Sequence, residues 1–145
     1  MKHAESEHQG PRGIATVRTL AMPKDTNGLG DIFGGWLMSH ADIAGAILAY
    51  RRACGRVVTV AVNDFVFLKP VYVGDIVAFH TELTRVGNTS LTVSVEVWAE
   101  RPQGGRGALI KVATAGMTYV HIDEAGRPQA IPATLSKDAL LASPD

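Results

Sequence analysis

Asp42 is the single formally charged residue in the nineteen-residue run from Ile32 to Tyr50, IFGGWLMSHADIAGAILAY. A carboxylate set among Ile, Ala, Leu and Gly must find hydrogen-bond donors if the run is buried, because an unpaired charge is costly to desolvate. An Asp in such surroundings can act as a general base or as a nucleophile. Gly34-Gly35 lies about two helical turns before it. Bare N–H groups at a helix start, unobstructed by side chains, can stabilise a developing oxyanion. Upstream, Asn27 in DTNGLGD is a turn residue by type, since Asn-Gly is a common turn dipeptide, and its amide can also orient a water. Such residues suit attack on a polarised carbonyl.

The elements that must hold them are legible from period and punctuation. IATVRTL, Ile14 to Leu20, is a short β-compatible run, and the Pro-, Asn- and Gly-rich stretch from Met22 to Asp31 is a loop. The apolar run starts at Gly34-Gly35 and stops near YRRACG, with Arg51 and Arg52 in its last turn and Gly55 as its C-terminal cap. At about 100° per residue the helix divides into two faces. Trp36, Leu37, His40, Ile43, Ala44, Ile47, Leu48 and Tyr50 form a bulky face expected to lie on a sheet. Ser39, Asp42, Gly45, Ala46 and Ala49 form a face of small residues, expected to admit a neighbouring subunit or a thin ligand. Strands follow at 56–70, 75–86, 90–100 and 107–123. The third is the clearest: Leu91, Val93, Val95, Val97 and Ala99 alternate with Thr92, Ser94, Glu96, Trp98 and Glu100. One strand, one long helix and four strands on short links predict an α+β fold with antiparallel pairing and a single helix covering one sheet face. Residues 1–13 read as a flexible tail, 14–130 as the domain, and the segment from Ile131 as a loosely attached C-terminal tail.

Composition narrows the partners. Lys plus Arg and Asp plus Glu both number 14, so no net basic field draws the chain to nucleic acid or to an anionic membrane. The only cysteine, Cys54, forms no intramolecular disulfide framework. His40 falls on the bulky helix face as a packing residue, and His80 and His121 lie in strands without ligand spacing, so no metal site is expected. The polar N-terminus lacks a secretory apolar region, which predicts a cytoplasmic protein. The apolar run contains Asp42, His40, Ser39 and several glycines, which favours a buried helix over a membrane span.

The segment TLAMPKDTNGLGDIFGGWLMSHADIAGAILA, continuing through GRVVTVAVNDFVFLKPVYVGDIV and GNTSLTVSVEVW, resembles the hotdog-fold acyl-CoA thioesterases, specifically the small bacterial YciA-type enzymes. The similarity runs from about Arg18 to Val120. It implies a hotdog fold, a long central helix wrapped by an antiparallel sheet, and dimers joined edge to edge, assembled as trimers of dimers in a hexamer. It also implies that Asp42 is the catalytic aspartate, Asn27 the catalytic asparagine, and Gly35 rather than Gly34 the donor to the thioester carbonyl. Asn27 and Asp42 of one site are expected from opposite subunits. The substrate implied is an acyl-CoA. Coenzyme A enters as part of it and leaves as product, so no separate cofactor is called for. Its phosphates direct attention to Arg56, to Lys69 in FLKP, and to Gly87, Thr89 and Ser90 in the GNTS turn, where a cation, turn N–H groups and hydroxyls suit an anion. A dehydratase acting on 3-hydroxyacyl thioesters would pair a loop histidine with a helix carboxylate, and the loop before this helix has no histidine. The alternative from another class is a non-catalytic acyl-CoA-binding sensor on the same fold.

Overall fold

The computed structural model describes residues 10–103 and 106–133. Strand β1 is Ile14–Leu20, helix α1 is Gly34–Ala53, and strands β2 to β5 are Val57–Phe67, Ile76–Val86, Ser90–Gln103 and Arg106–His121. The five strands form one antiparallel sheet in the order β1-β3-β4-β5-β2, with α1 packed across it. This is the hotdog arrangement the resemblance implied. The alternation read in β4 sets the core: Leu91, Val93, Val95, Val97 and Ala99 are all fully buried on the face toward the helix. Each Val or Leu so buried is worth about 1.5–3 kcal/mol. Phe79, Met117 and Tyr119 supply bulk from neighbouring strands.

Short links gave antiparallel pairing, yet β2 and β3 are not neighbours. Among the described residues β2 pairs only with β5, at the far edge from β1. Three strand spacings span about 14–15 Å. The eight residues Leu68–Asp75 can reach about 26 Å when extended, so they cross the end of the sheet with length to spare. Asp75 pins this crossover. It is almost fully buried, and its carboxylate takes two bonds from Arg101, Nε at 2.9 Å and Nη2 at 2.8 Å, and one from the Tyr72 N–H at 3.0 Å.

The buried face of the helix overlaps the bulky one only in part: Leu37 and Ala44 are buried and Trp36 and Leu48 pack against the core, but Gly45 and Ala49 of the small face are buried too. Leu37, Ala41, Ala44, Gly45, Ala49 and Ala53 face the sheet, while Ile43 and Tyr50, assigned to the buried side, are each 51% exposed. The reason is space: Phe79, Met117 and Tyr119 rise from the sheet beneath the helix, so small residues fit where these side chains reach it. The helix end also differs. Cys54, not Gly55, takes the left-handed conformation, with φ of 57°. Gly55 is needed for space instead, since a Cβ there would stand 2.5 Å from His121 Nε2. At the C-terminal side the first residues of the expected tail are held to the domain. The Ile131 N–H bonds to the Asn88 carbonyl at 2.8 Å, and Arg52 donates to the Pro132 carbonyl at 3.0 Å. Residues 134–145 lie outside the described residues, as do 1–9 of the expected N-terminal tail.

Candidate active site

The loop before α1 is built around Asp25. Its buried carboxylate accepts the Met22 N–H at 3.0 Å and pairs with Lys24 at 3.2 Å, while its carbonyl accepts the Phe33 N–H at 3.1 Å. Burial pushes the Asp25 carboxyl up, but the Met22 N–H and Lys24 outweigh it and hold it below its ordinary value. This scaffold presents Asn27, which is exposed. The Asn27 Oδ1 accepts the Leu29 N–H at 2.9 Å, so its amide nitrogen is the group left to act outward. Phe33 is the N-cap of α1 and offers no side-chain cap, leaving the first N–H groups of the helix, those of Gly34 and Gly35, without a capping side chain among the described residues. Asn27, Gly34, Leu37, Phe67 and Lys69 line one cavity of about 350 Å³. Gly34 abuts the Phe67 ring, whereas Gly35 is exposed with open space on its Cβ side.

Asp42 is not a wall of that cavity. It is half-buried on the flank of α1 that meets β2 and β5. The Thr59 hydroxyl donates to its Oδ1 at 2.6 Å. The Tyr119 hydroxyl lies 2.8 Å from its main-chain carbonyl and 3.2 Å from the same Oδ1. Thr59 and Tyr119 are cross-strand partners in the β2–β5 ladder, which is how two donors from different strands converge on one oxygen. A bulge between Thr59 and Ala61 follows directly. Burial, then the charge of Asp42 and the bond to it, push the Tyr119 phenol well above its ordinary pKa, so it stays a donor. Neither donor was anticipated. A threonine among valines reads as one more strand former, and a tyrosine in an apolar strand as core; only the register makes them neighbours.

The remaining residues separate by end of the sheet. Lys69 joins Asn27 and the helix start. Arg56 lies at the opposite end, where it lines a second cavity of about 440 Å³ with Cys54, His121 and Gln129. The turn carrying Gly87, Thr89 and Ser90 is at that same end: Gly87 N–H bonds to the Ser90 carbonyl at 2.7 Å, and the Thr89 carbonyl accepts the His121 N–H at 2.8 Å. His40 packs as expected, stacked on Phe79 with ring centroids 5.7 Å apart and Nδ1 2.9 Å from the Trp36 carbonyl. Among the described residues no group of three His, Cys, Asp or Glu is placed to hold a metal ion, and no helix is long and apolar enough to cross a membrane.

The Thioesterase superfamily model matches residues 29–105. The acyl-CoA thioester hydrolase YciA of Escherichia coli K12 is 50% identical over 129 residues, covering 86% of this chain and 96% of that protein. Among solved structures, a hexameric thioesterase from Yersinia pestis is 48% identical with a TM-score of 0.80, over 86% of this chain and 99% of that one. An acyl-CoA hydrolase from Staphylococcus aureus, solved in complex with butyryl coenzyme A and coenzyme A, is 29% identical with a TM-score of 0.74, over 86% and 75% of the two chains. That hydrolase has also been solved with an aspartate and, separately, a threonine replaced by alanine. The two positions are seventeen apart, the separation of Asp42 from Thr59 here.

Proposed function

This chain belongs to the thioesterase superfamily, among the hotdog-fold acyl-CoA thioester hydrolases, and from that premise we propose how its residues divide the work of hydrolysis. The thioester carbonyl oxygen takes a hydrogen bond from the Gly35 N–H, at the positive end of the α1 dipole, where charge develops as the carbonyl is attacked. Asp42 then acts by one of two routes. As a general base it takes a proton from a water that attacks the carbonyl carbon. As a nucleophile it attacks that carbon itself, expels the coenzyme A thiolate, and leaves a mixed anhydride that water cleaves. Asn27 orients the water or the carbonyl through its free amide nitrogen. Both routes yield the free acid and coenzyme A, and neither calls for a cofactor.

One site is assembled from two copies of the chain. The outer edge of β2 carries exposed Val58, Val60, Val62 and Val66, an apolar strand edge that no other strand of the described residues pairs with. Antiparallel pairing of two such edges about a twofold axis brings the Phe67 end of one strand beside the Val57 end of the other. The first end carries Asn27, the helix start and Lys69; the second carries Asp42, Thr59, Arg56 and the Gly87–Ser90 turn. Pairing thereby joins the catalytic groups that one chain keeps apart, and Arg56, Lys69, Gly87, Thr89 and Ser90 come to flank a single route for the coenzyme A phosphates. The hexameric Yersinia relative supports an assembly of copies, which we take to be a trimer of dimers, and a cytoplasmic location belongs to the same proposal.

The observation that carries the mechanism is the lone helix carboxylate held through one oxygen by neutral donors. Its test is thiol release from a panel of acyl-CoAs, short to long and including aryl-acetyl forms, by the wild type and by Asp42→Asn. A folded mutant that still binds coenzyme A but is slower by about a hundredfold or more supports the assignment, since positioned acid–base groups contribute about 10²–10⁴-fold. A fully active mutant leaves Asp42 structural. Binding of acyl-CoA by the wild type without any turnover makes the chain a sensor.

A further inference from the structure

Asp42 has two carboxylate oxygens, and the protein treats them differently. Oδ1 receives Thr59 at 2.6 Å and Tyr119 at 3.2 Å, while among the described residues Oδ2 accepts no hydrogen bond. Tyr119 also reaches the main-chain carbonyl of Asp42 at 2.8 Å. A phenol has a single proton, so it is shared between the carbonyl and Oδ1. That sharing ties the carboxylate to its own backbone and fixes the side-chain rotamer. The phenol is fully buried in the core, where its ring cannot swing away.

A second observation comes from the other side of the contact. Gly45 occupies the middle of α1, where glycine is less favourable than alanine. A Cβ at that position would overlap the Tyr119 hydroxyl oxygen and stand 3.1 Å from Cζ of the ring. The helix therefore gives up stability to leave a notch one hydroxyl deep, and that hydroxyl is the one aimed at Asp42.

We propose that Tyr119 is a positioning residue for hydrolysis, seated in the Gly45 notch so that, with Thr59, it engages Oδ1 and leaves Oδ2 as the oxygen that acts on water or on the thioester. This rests on the assignment of Asp42 as the reacting group. The same logic explains why the donors are neutral. Two hydroxyls orient a carboxylate without placing a cation against it, and among the described residues Asp42 forms no ion pair.

The test is steady-state kinetics on one good acyl-CoA substrate with Tyr119→Phe, Gly45→Ala and the double variant, beside Asp42→Asn. Tyr119→Phe keeps the ring and removes only the donor. Its kcat is expected to fall by about tenfold to a hundredfold, the range for losing a hydrogen bond to a charged group, with KM within about twofold of wild type. Gly45→Ala, which displaces the phenol, should lower kcat to a similar extent, and the double variant should be no worse than about the weaker single, because both changes remove one interaction. A merely structural phenol would lower the melting temperature and leave kcat alone. Wild-type kcat in Tyr119→Phe, with Asp42→Asn inactive, overturns the proposal and spares the assignment of Asp42. Full activity in Asp42→Asn overturns the assignment itself. If Tyr119→Phe does not fold, additive losses of kcat in Gly45→Ala and Thr59→Val would likewise count against a shared grip on Oδ1.

Discussion

The grip on Asp42 is lopsided, and at the residue scale this makes the weights of its partners measurable one at a time. Thr59 makes the shorter contact and stands on an edge strand, so its hydroxyl can be removed with little disturbance to the core. Valine has nearly the same shape and an equal liking for strands, which makes Thr59→Val the clean probe. The expected result is a kcat lower by about tenfold or more with thermal stability close to wild type, since a bond to a charged acceptor is worth about 1.5–3 kcal/mol. Unchanged turnover would assign the hydroxyl to strand packing alone.

At the scale of elements, the crossover from β2 to β3 matters most, because it carries Lys69 and backs the loop that presents Asn27. The Ile32 N–H bonds to the Val71 carbonyl at 2.9 Å, and the Ala21 N–H to the Asp75 carbonyl at 2.9 Å, so loop and crossover are stitched together. Arg101 on β4 holds the whole end by its two bonds to the buried Asp75, with its guanidinium 4.7 Å from the Tyr72 ring centroid. Arg101→Met keeps much of the aliphatic stem and strands the Asp75 carboxylate. Urea unfolding should register a loss of about 3–5 kcal/mol, the cost of leaving a buried charge without its partner. A loss below about 0.5 kcal/mol would mean that water replaces the guanidinium, as it does at surface pairs.

For the whole molecule, the question is what covers the β2 edge. Val62→Lys puts a charge into the proposed joint without replacing any residue assigned to the site. Native mass spectrometry should then show smaller species than the wild-type assembly, and acyl-CoA turnover should fall in parallel if the proposed site is shared between copies. A monomeric variant that retains full turnover would refute the shared site. The exposed Ile43 and Tyr50 on the outer face of α1 are a further apolar surface left open by the single chain.

Periodicity and punctuation were enough to place the strands to within about three residues, and to read the extent of the helix and the isolation of Asp42, since each is a property of neighbouring residues. The long resemblance added the family and the roles of Asn27, Asp42 and Gly35 as expectations. Three matters were decided only by the tertiary structure. β2 lies at the far edge because strand order depends on which strands share a core, and an eight-residue link permits either choice. The helix buries Gly45 and Ala49 beside Leu37 and leaves Ile43 and Tyr50 outside because Phe79, Met117 and Tyr119 of the sheet already fill much of the space beneath it. Thr59 and Tyr119 become partners of Asp42 because they are opposite each other in the β2–β5 register. Sixty positions separate them in sequence, and no local pattern distinguishes a hydroxyl that will meet a carboxylate from one that fills a strand.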